Sequence, residues 1–191
     1  MQFQITFDYL CPFARNAAEA VVRGLEAGRD WEVTHRAFSL AQVHLPDGEP
    51  DVWEAPDGRS GLLALQWGIA VRDHLPERFP AAHLALFAAR HDHGRDLRDE
   101  SVVREAVASA GVDSETVARI VAGGTPLEAL ATEHLEGLAD HQVFGVPTVI
   151  AGDQAVFVRL MERGRPEDLD RVLDLIAWTG LNEFKRTTIP R

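Results

Sequence analysis

The chain has 191 residues, a single cysteine and a formal net charge of −11. That length fits one domain, or one domain carrying a sizeable insertion, and the acidic balance argues against nucleic acid or an anionic membrane surface as a partner. No apolar run approaches membrane-spanning length, no charged-then-apolar leader is visible, and one unpaired cysteine suits a reducing cytosol better than an oxidising compartment, so a cytoplasmic protein is expected.

The run Phe3-Gln4-Ile5-Thr6-Phe7 alternates as a strand does. Arg15 to Ala27, rich in Ala, Val, Leu, Glu and Arg, predicts a helix. Between them lies Asp8-Tyr9-Leu10-Cys11-Pro12-Phe13-Ala14, with Pro12 suited to a first helical turn. A lone cysteine is most often a small buried hydrophobe. Here its place at a strand-to-helix turn, before proline, argues for a functional thiol. A helix N-terminus offers unpaired N–H groups and the positive end of the macrodipole, which favour the reactive thiolate. The Phe13 ring cannot donate a hydrogen bond to sulfur. The helix terminus would therefore do most of the stabilising, and a pKa somewhat below the ~8.5 of a free thiol is expected. Asp8 reads as a buried acid near Cys11 or as a solvated strand end, and the second reading is favoured.

Trp31 to Phe38 alternates as a second strand, completing a βαβ unit. Ser39 to Arg59, with Pro46, Gly48, Pro50, Pro56 and Gly58, is a long polar connection that suits a domain junction. Five helical segments follow. Ser60 can cap the first, through Leu62, Leu65, Gln66 and Ile69. The second, from about Glu77 to Asp92, has a stripe of Leu84, Phe87 and Ala88. The third starts at Asp99 and stops at Gly111; the fourth is capped by Asp113 and stops at Gly123. Thr125-Pro126-Leu127-Glu128 matches a capping box and opens the fifth, whose apolar face reads Leu127, Leu130, Ala131, His134, Leu135 and Leu138. Pro147 to Ala151 and Ala155 to Arg159 then form a hairpin around Gly152-Asp153. Pro166 starts a last helix with Leu169, Val172, Leu173 and Ile176 on one face. The tail from Leu181 to Arg191 either packs across the domain or lies loose.

Strand, Cys11-Pro12-Phe13-Ala14 and helix, with Gly145-Val146-Pro147-Thr148 late in the chain, resemble the two active-site motifs of the thioredoxin superfamily. The Cys-Pro pair and its apolar third residue resemble the DsbA-like branch, which includes kappa-class glutathione transferases and 2-hydroxychromene-2-carboxylate isomerases. The resemblance implies an α/β, thioredoxin-like fold with an all-helical insertion, divided as 1–58 and 141–191 for the thioredoxin-like domain and 59–140 for the insertion subdomain. It implies Cys11 as the catalytic residue, with Pro12, Phe13, Val146 and Pro147 binding the thiol partner. It also implies a cis Pro147, leaving the Val146 N–H and C=O to pair with an extended thiol substrate.

One departure matters. Ala14 stands where the second cysteine of a Cys-X-X-Cys motif would be, so no intramolecular disulfide can form and dithiol chemistry within one chain is excluded. The expected activity is that of a DsbA-like thiol oxidoreductase working through one cysteine. The alternatives are a kappa- or isomerase-like enzyme using a bound thiol, and a non-catalytic binding protein. No tightly bound cofactor is expected; glutathione or another low-molecular-weight thiol is the co-substrate the resemblance suggests, and a homodimer is left open. The eight histidines lack metal-site spacing. His91 and His93 fall on different helix faces, His134 reads as a core or interface residue, and His83 could face the cleft.

Overall fold

A computed structural model describes residues 1–56, 58, 61–181 and 183. The chain runs β1 (Gln2–Phe7), α1 (Pro12–Glu26), β2 (Glu32–Ala37), α2 (Leu40–Val43), α3 (Leu62–His74), α4 (Phe79–His91), α5 (Glu100–Ser109), α6 (Ser114–Ala122), α7 (Thr125–His141), β3 (Thr148–Ala151), β4 (Gln154–Phe157) and α8 (Pro166–Ala177). The strands form one sheet in the order β2-β1-β3-β4. β1 and β2 are parallel, while β3 is antiparallel to both β1 and β4. This is a βαβ half and a ββα half separated by helices. Among the described residues no helix is long and apolar enough to cross a membrane.

The alternation of β1 decides the layers, because successive strand side chains point to opposite faces. Phe3 and Ile5 are buried with Ala17 and Val21 of α1, Val149 of β3, and Leu169 and Leu173 of α8. Gln4 and Thr6 face the other way, towards Gly137 and Asp140 of α7 across a cavity of about 80 Å³. The edge strand β2 is fastened to the helices by a half-buried ion pair. Arg72 of α3 donates to the His35 carbonyl and to Glu133 of α7, both at 2.9 Å, and Glu133 accepts the Ala37 N–H at 2.6 Å. Exposed pairs contribute little. This one also supplies partners to edge-strand backbone groups that would otherwise be left open to pairing with another chain.

Between residues 62 and 141 the described chain is entirely helices and turns. Asp99 and Asp113 cap α5 and α6, accepting N–H groups from Ser101 and Glu115. Three sequence readings change. Ser60 lies outside the described residues, and the N-cap position of α3 is Gly61. The Thr125 capping box does not form: Gly124, at φ 85°, is the N-cap, and no side chain caps α7. Once Thr125 is itself helical, its hydroxyl no longer sits at the cap. The α4 stripe is Phe79, Ala82, His83, Leu86, Phe87 and Ala89, not Leu84-Phe87-Ala88. This helix packs against α1, α3 and α5 together, so more than one face is buried.

On α7 the buried residues are Pro126, Leu130 and His134, whereas Leu135 and Leu138 are exposed at 51% and 43%. His134 is a core residue, as expected. Its ring stacks on Phe38 at 4.1 Å and its Nδ1 accepts the Ser39 N–H at 3.2 Å. The connection from Ser39 to Arg59 is partly built: α2 occupies its start, and Gln42 bonds both the Asp51 carboxylate and the Val52 N–H. The tail reading, Leu181 to Arg191, falls almost wholly outside the described residues.

Tyr9 packs so closely on α3 that a Cβ at Gly68 would lie 2.2 Å from its hydroxyl. Alanine would add about 1 kcal/mol of helix propensity, but overpacking a rigid core costs about 1–3 kcal/mol. Gly68→Ala is therefore expected to lower the urea midpoint. Tyr9→Phe in the same chain should be less than additive with it, since the two substitutions share the clash. Additive losses would show that Tyr9 does not hold that contact.

Candidate active site

Cys11 is the N-cap of α1, with φ −94° and ψ 117°, and Pro12 occupies the first turn. The Cys11 N–H donates to the Asp8 carbonyl at 3.0 Å, closing the turn out of β1. The side chain is only 8% exposed. Its Sγ donates to the Val146 carbonyl at 3.2 Å, and the Val146–Pro147 peptide bond is cis. Cys11, Pro12, Phe13, Val146 and Pro147 are thus brought to one end of the sheet. The Val146 segment is pinned from several sides. The Thr148 N–H donates to Thr6 Oγ1, the Thr148 hydroxyl to the Gly145 carbonyl, and the Val158 N–H to the Pro147 carbonyl.

The thiol does not behave as its position alone suggests. Burial pushes the Cys11 thiol above its ordinary value, while the backbone N–H groups of Ala14 and Phe13 pull it down. Negative charge on Asp8 adds to the rise, and Arg159 opposes it. The helix terminus therefore acts in the expected direction, but desolvation outweighs it.

Asp8 is not a solvated strand end. It is fully buried, and its two oxygens accept the Leu10 N–H at 2.8 Å and the Leu40 N–H at 2.7 Å. Burial lifts its carboxyl to about 6 in spite of these bonds and the nearby His44. Tyr9, beside it, joins the thiol loop to α4 by two bonds. Its hydroxyl meets His83 Nδ1 at 2.9 Å, and its carbonyl accepts from His91 Nε2 at 2.9 Å. His83 does not face a cleft. It is 1% exposed among Phe7, Tyr9, Phe79 and Phe87, its Nε2 has no hydrogen-bond partner, and burial holds it well below the usual imidazole range.

The sequence reading missed the outer wall of the site. Arg159 lies over the Phe13 ring at 5.4 Å and over the Phe157 ring at 5.6 Å, and Phe157 meets Phe144 at 5.0 Å. Phe144 is 66% exposed. The available signal was period-two spacing: Phe157, the last residue of β4, and Arg159, just beyond it, are two positions apart. A cavity of about 490 Å³ lies elsewhere, along the outer edge of β2 between His35, Arg72, Phe79 and Glu133, and contains none of the expected site residues. Its size does not make it the reactive centre, because no thiol opens into it.

The family model of the DSBA-like thioredoxin domain matches residues 70–174, which takes in Val146 and Pro147 and leaves Cys11 outside. No curated protein matches the chain. Among solved structures it is similar to a 2-hydroxychromene-2-carboxylate isomerase, with TM-score 0.65 and 16% identity over 94% of this chain and 98% of that one. It is similar to the thiol-disulfide exchange protein α-DsbA2 of Wolbachia pipientis, with TM-score 0.63 and 17% identity over 91% and 80%. A third is the cytosolic disulfide reductase DsbM of Pseudomonas aeruginosa, solved with GSH, with TM-score 0.60 and 17% identity over 91% and 98%. At these identities the likeness is one of fold.

The Asp8 carboxyl has a pH consequence with a definite sign. Its pKa is raised from 3.8 to about 6 on folding. Its contribution to stability is therefore fully present below about pH 4 and is lost as pH rises through about 6, a change of about 3 kcal/mol. The buried His83 and His134 and the part-buried His35 are all pushed down by desolvation, so their contributions run the other way and are lost as pH falls. The difference between wild type and Asp8→Asn isolates the carboxyl. Wild type should lose stability relative to the variant as pH rises from 4 to 7, measured by urea unfolding. The amide gives up one N–H acceptor, which adds a pH-independent offset and leaves the slope as the readout. A flat difference would overturn the assignment.

Proposed function

The chain belongs to the DSBA-like thioredoxin domain family, and from that premise we propose that it is a thiol oxidoreductase with Cys11 as its single catalytic residue. The observation that carries this reading is the thiol at the head of α1, facing the Val146 carbonyl at 3.2 Å. The Cys11 thiolate attacks one sulfur of a small disulfide. A new S–S bond to Cys11 forms, the old one breaks, and the other half leaves as a thiolate. Ala14 offers no second thiol, so an external thiolate must attack the mixed disulfide to regenerate Cys11. A low-molecular-weight thiol of the glutathione type is the co-substrate, and a reducing cytosol is the compartment that supplies it. Val146 and Pro147 dock this partner on one side and Pro12 and Phe13 on the other, with the α3–α7 helices setting substrate choice.

The raised pKa of Cys11 favours a second reading. A thiol that stays protonated at neutral pH is a hydrogen-bond donor, and it can hold a bound thiolate without turning over. In that reading the protein is a transferase or isomerase, and Cys11 positions the co-substrate's sulfur.

Mass spectrometry after treatment with glutathione disulfide tests both. Wild type is expected to form a one-thiol adduct that persists until dithiothreitol removes it. Its formation rate should still be climbing with pH where that of an ordinary free thiol has levelled off, because burial shifts the Cys11 thiol upward and only the thiolate reacts. Ala14→Cys should shorten the adduct's life, since the helix brings the new thiol within reach of Cys11. Cys11→Ser abolishes the adduct; activity that survives this change supports the second reading. If the folded chain forms no adduct while the denatured chain does, Cys11 is inert and the protein is a binding domain.

A further inference from the structure

The β3–β4 ladder pairs Thr148 with Phe157, and the Val158 N–H continues it to the Pro147 carbonyl. Arg159 lies two residues past the end of β4, and Val146, whose carbonyl receives the Cys11 Sγ–H, lies two residues before the start of β3. Arg159 is exposed. Its guanidinium carbon lies over both the Phe13 and the Phe157 ring, contacts that leave its N–H donors free for a hydrogen-bonding partner. It makes no hydrogen bond or ion pair among the described residues. Arg163, four residues on, is committed to Glu19 and Asp92. In a chain of net charge −11, an arginine left without a carboxylate beside a thiol has lost an easily available partner. The charge is also near enough to pull the Cys11 thiol towards thiolate.

From this placement we propose that Arg159 is a specificity residue that receives the carboxylate of the thiol partner, so that the site selects thiols and disulfides carrying an anionic group a few bonds from the sulfur. The inference deepens the oxidoreductase reading and rests on it for the identity of the partner. Phe13 and Phe157 hold the guanidinium in place, and its planar fork of N–H donors matches a carboxylate in two places.

Two alkylating reagents of nearly the same size isolate the charge. In each case the Cys11 thiolate forms a C–S bond and iodide leaves, but iodoacetate is anionic and iodoacetamide neutral. The ratio of their rates on the folded full chain, divided by the same ratio on the denatured chain, cancels the thiol pKa. A charge-assisted contact at a half-open site should raise this quotient about three- to tenfold in wild type. It should fall as salt is added. Arg159→Met should bring it close to one, and Arg159→Lys should keep part of it, which a purely structural role would not. Phe157→Leu should lower it by loosening the guanidinium.

A quotient near one in wild type, or one unmoved by Arg159→Met, overturns the proposal even if the glutathione adduct forms. A raised, Arg159-dependent quotient without a glutathione adduct upholds the anion site and sinks the oxidoreductase reading. A folded chain that reacts with neither reagent overturns both.

Discussion

Everything around the thiol depends on how Asp8, Tyr9 and Leu10 turn the corner between β1 and α1. The Asp8 carboxylate is taken out of water and held by two backbone N–H groups, one from its own turn and one from the start of α2. Tyr9 faces the helices and is gripped at its hydroxyl by His83 and at its carbonyl by His91. A buried acceptor or donor left without its partner costs about 1–3 kcal/mol, so this corner tolerates little rearrangement. It fixes where Cys11 begins its helix, and through α4 it fixes where the helical segment lies relative to the sheet.

At its C-terminal end, next to His91, α4 is also fastened by charge. Asp92, just past its last residue, binds Arg15 of α1 and Arg163 of the loop before α8, and Arg163 reaches on to Glu19. Asp92 is held below its usual range by those guanidinium groups. The helix is therefore attached to the thiol loop by one buried and one part-buried hydrogen bond, and at its C-terminal end by part-exposed ion pairs. Salt screens the second kind and hardly affects the first.

Much of the fold could be read locally. Strand alternation in Phe3-Gln4-Ile5, the aspartate caps at Asp99 and Asp113, and the apolar face of α8 are short-range signals, and the structure uses them as written. What could not be read depends on distant chain. Asp8 takes its second N–H from Leu40, 32 positions away, and no local pattern announces that. The helix terminus beside Cys11 announces only the lowering part of its electrostatics; the larger raising part comes from tertiary packing. The stripe on α4 was misjudged for a related reason, since a helix covered on several sides has no single face to find. Arg159 carries no local signal, because a cation after a strand normally reads as surface, and only the fold brings it over Phe13.

The low exposure of Cys11 bears on how the molecule withstands peroxide. Oxidation beyond the disulfide level begins with a thiolate that the oxidant can reach, and proceeds through sulfenic acid to products the cell cannot generally reverse. Proteins with a neighbouring second thiol escape by condensing the sulfenic acid into a disulfide. This chain has no such exit, since Ala14 occupies the place and no other sulfhydryl exists. A sulfur kept protonated, 8% exposed and turned towards a backbone carbonyl is a slow target for that chemistry. The packing that lowers the thiolate fraction of Cys11 at rest also shields its sulfur from oxidants.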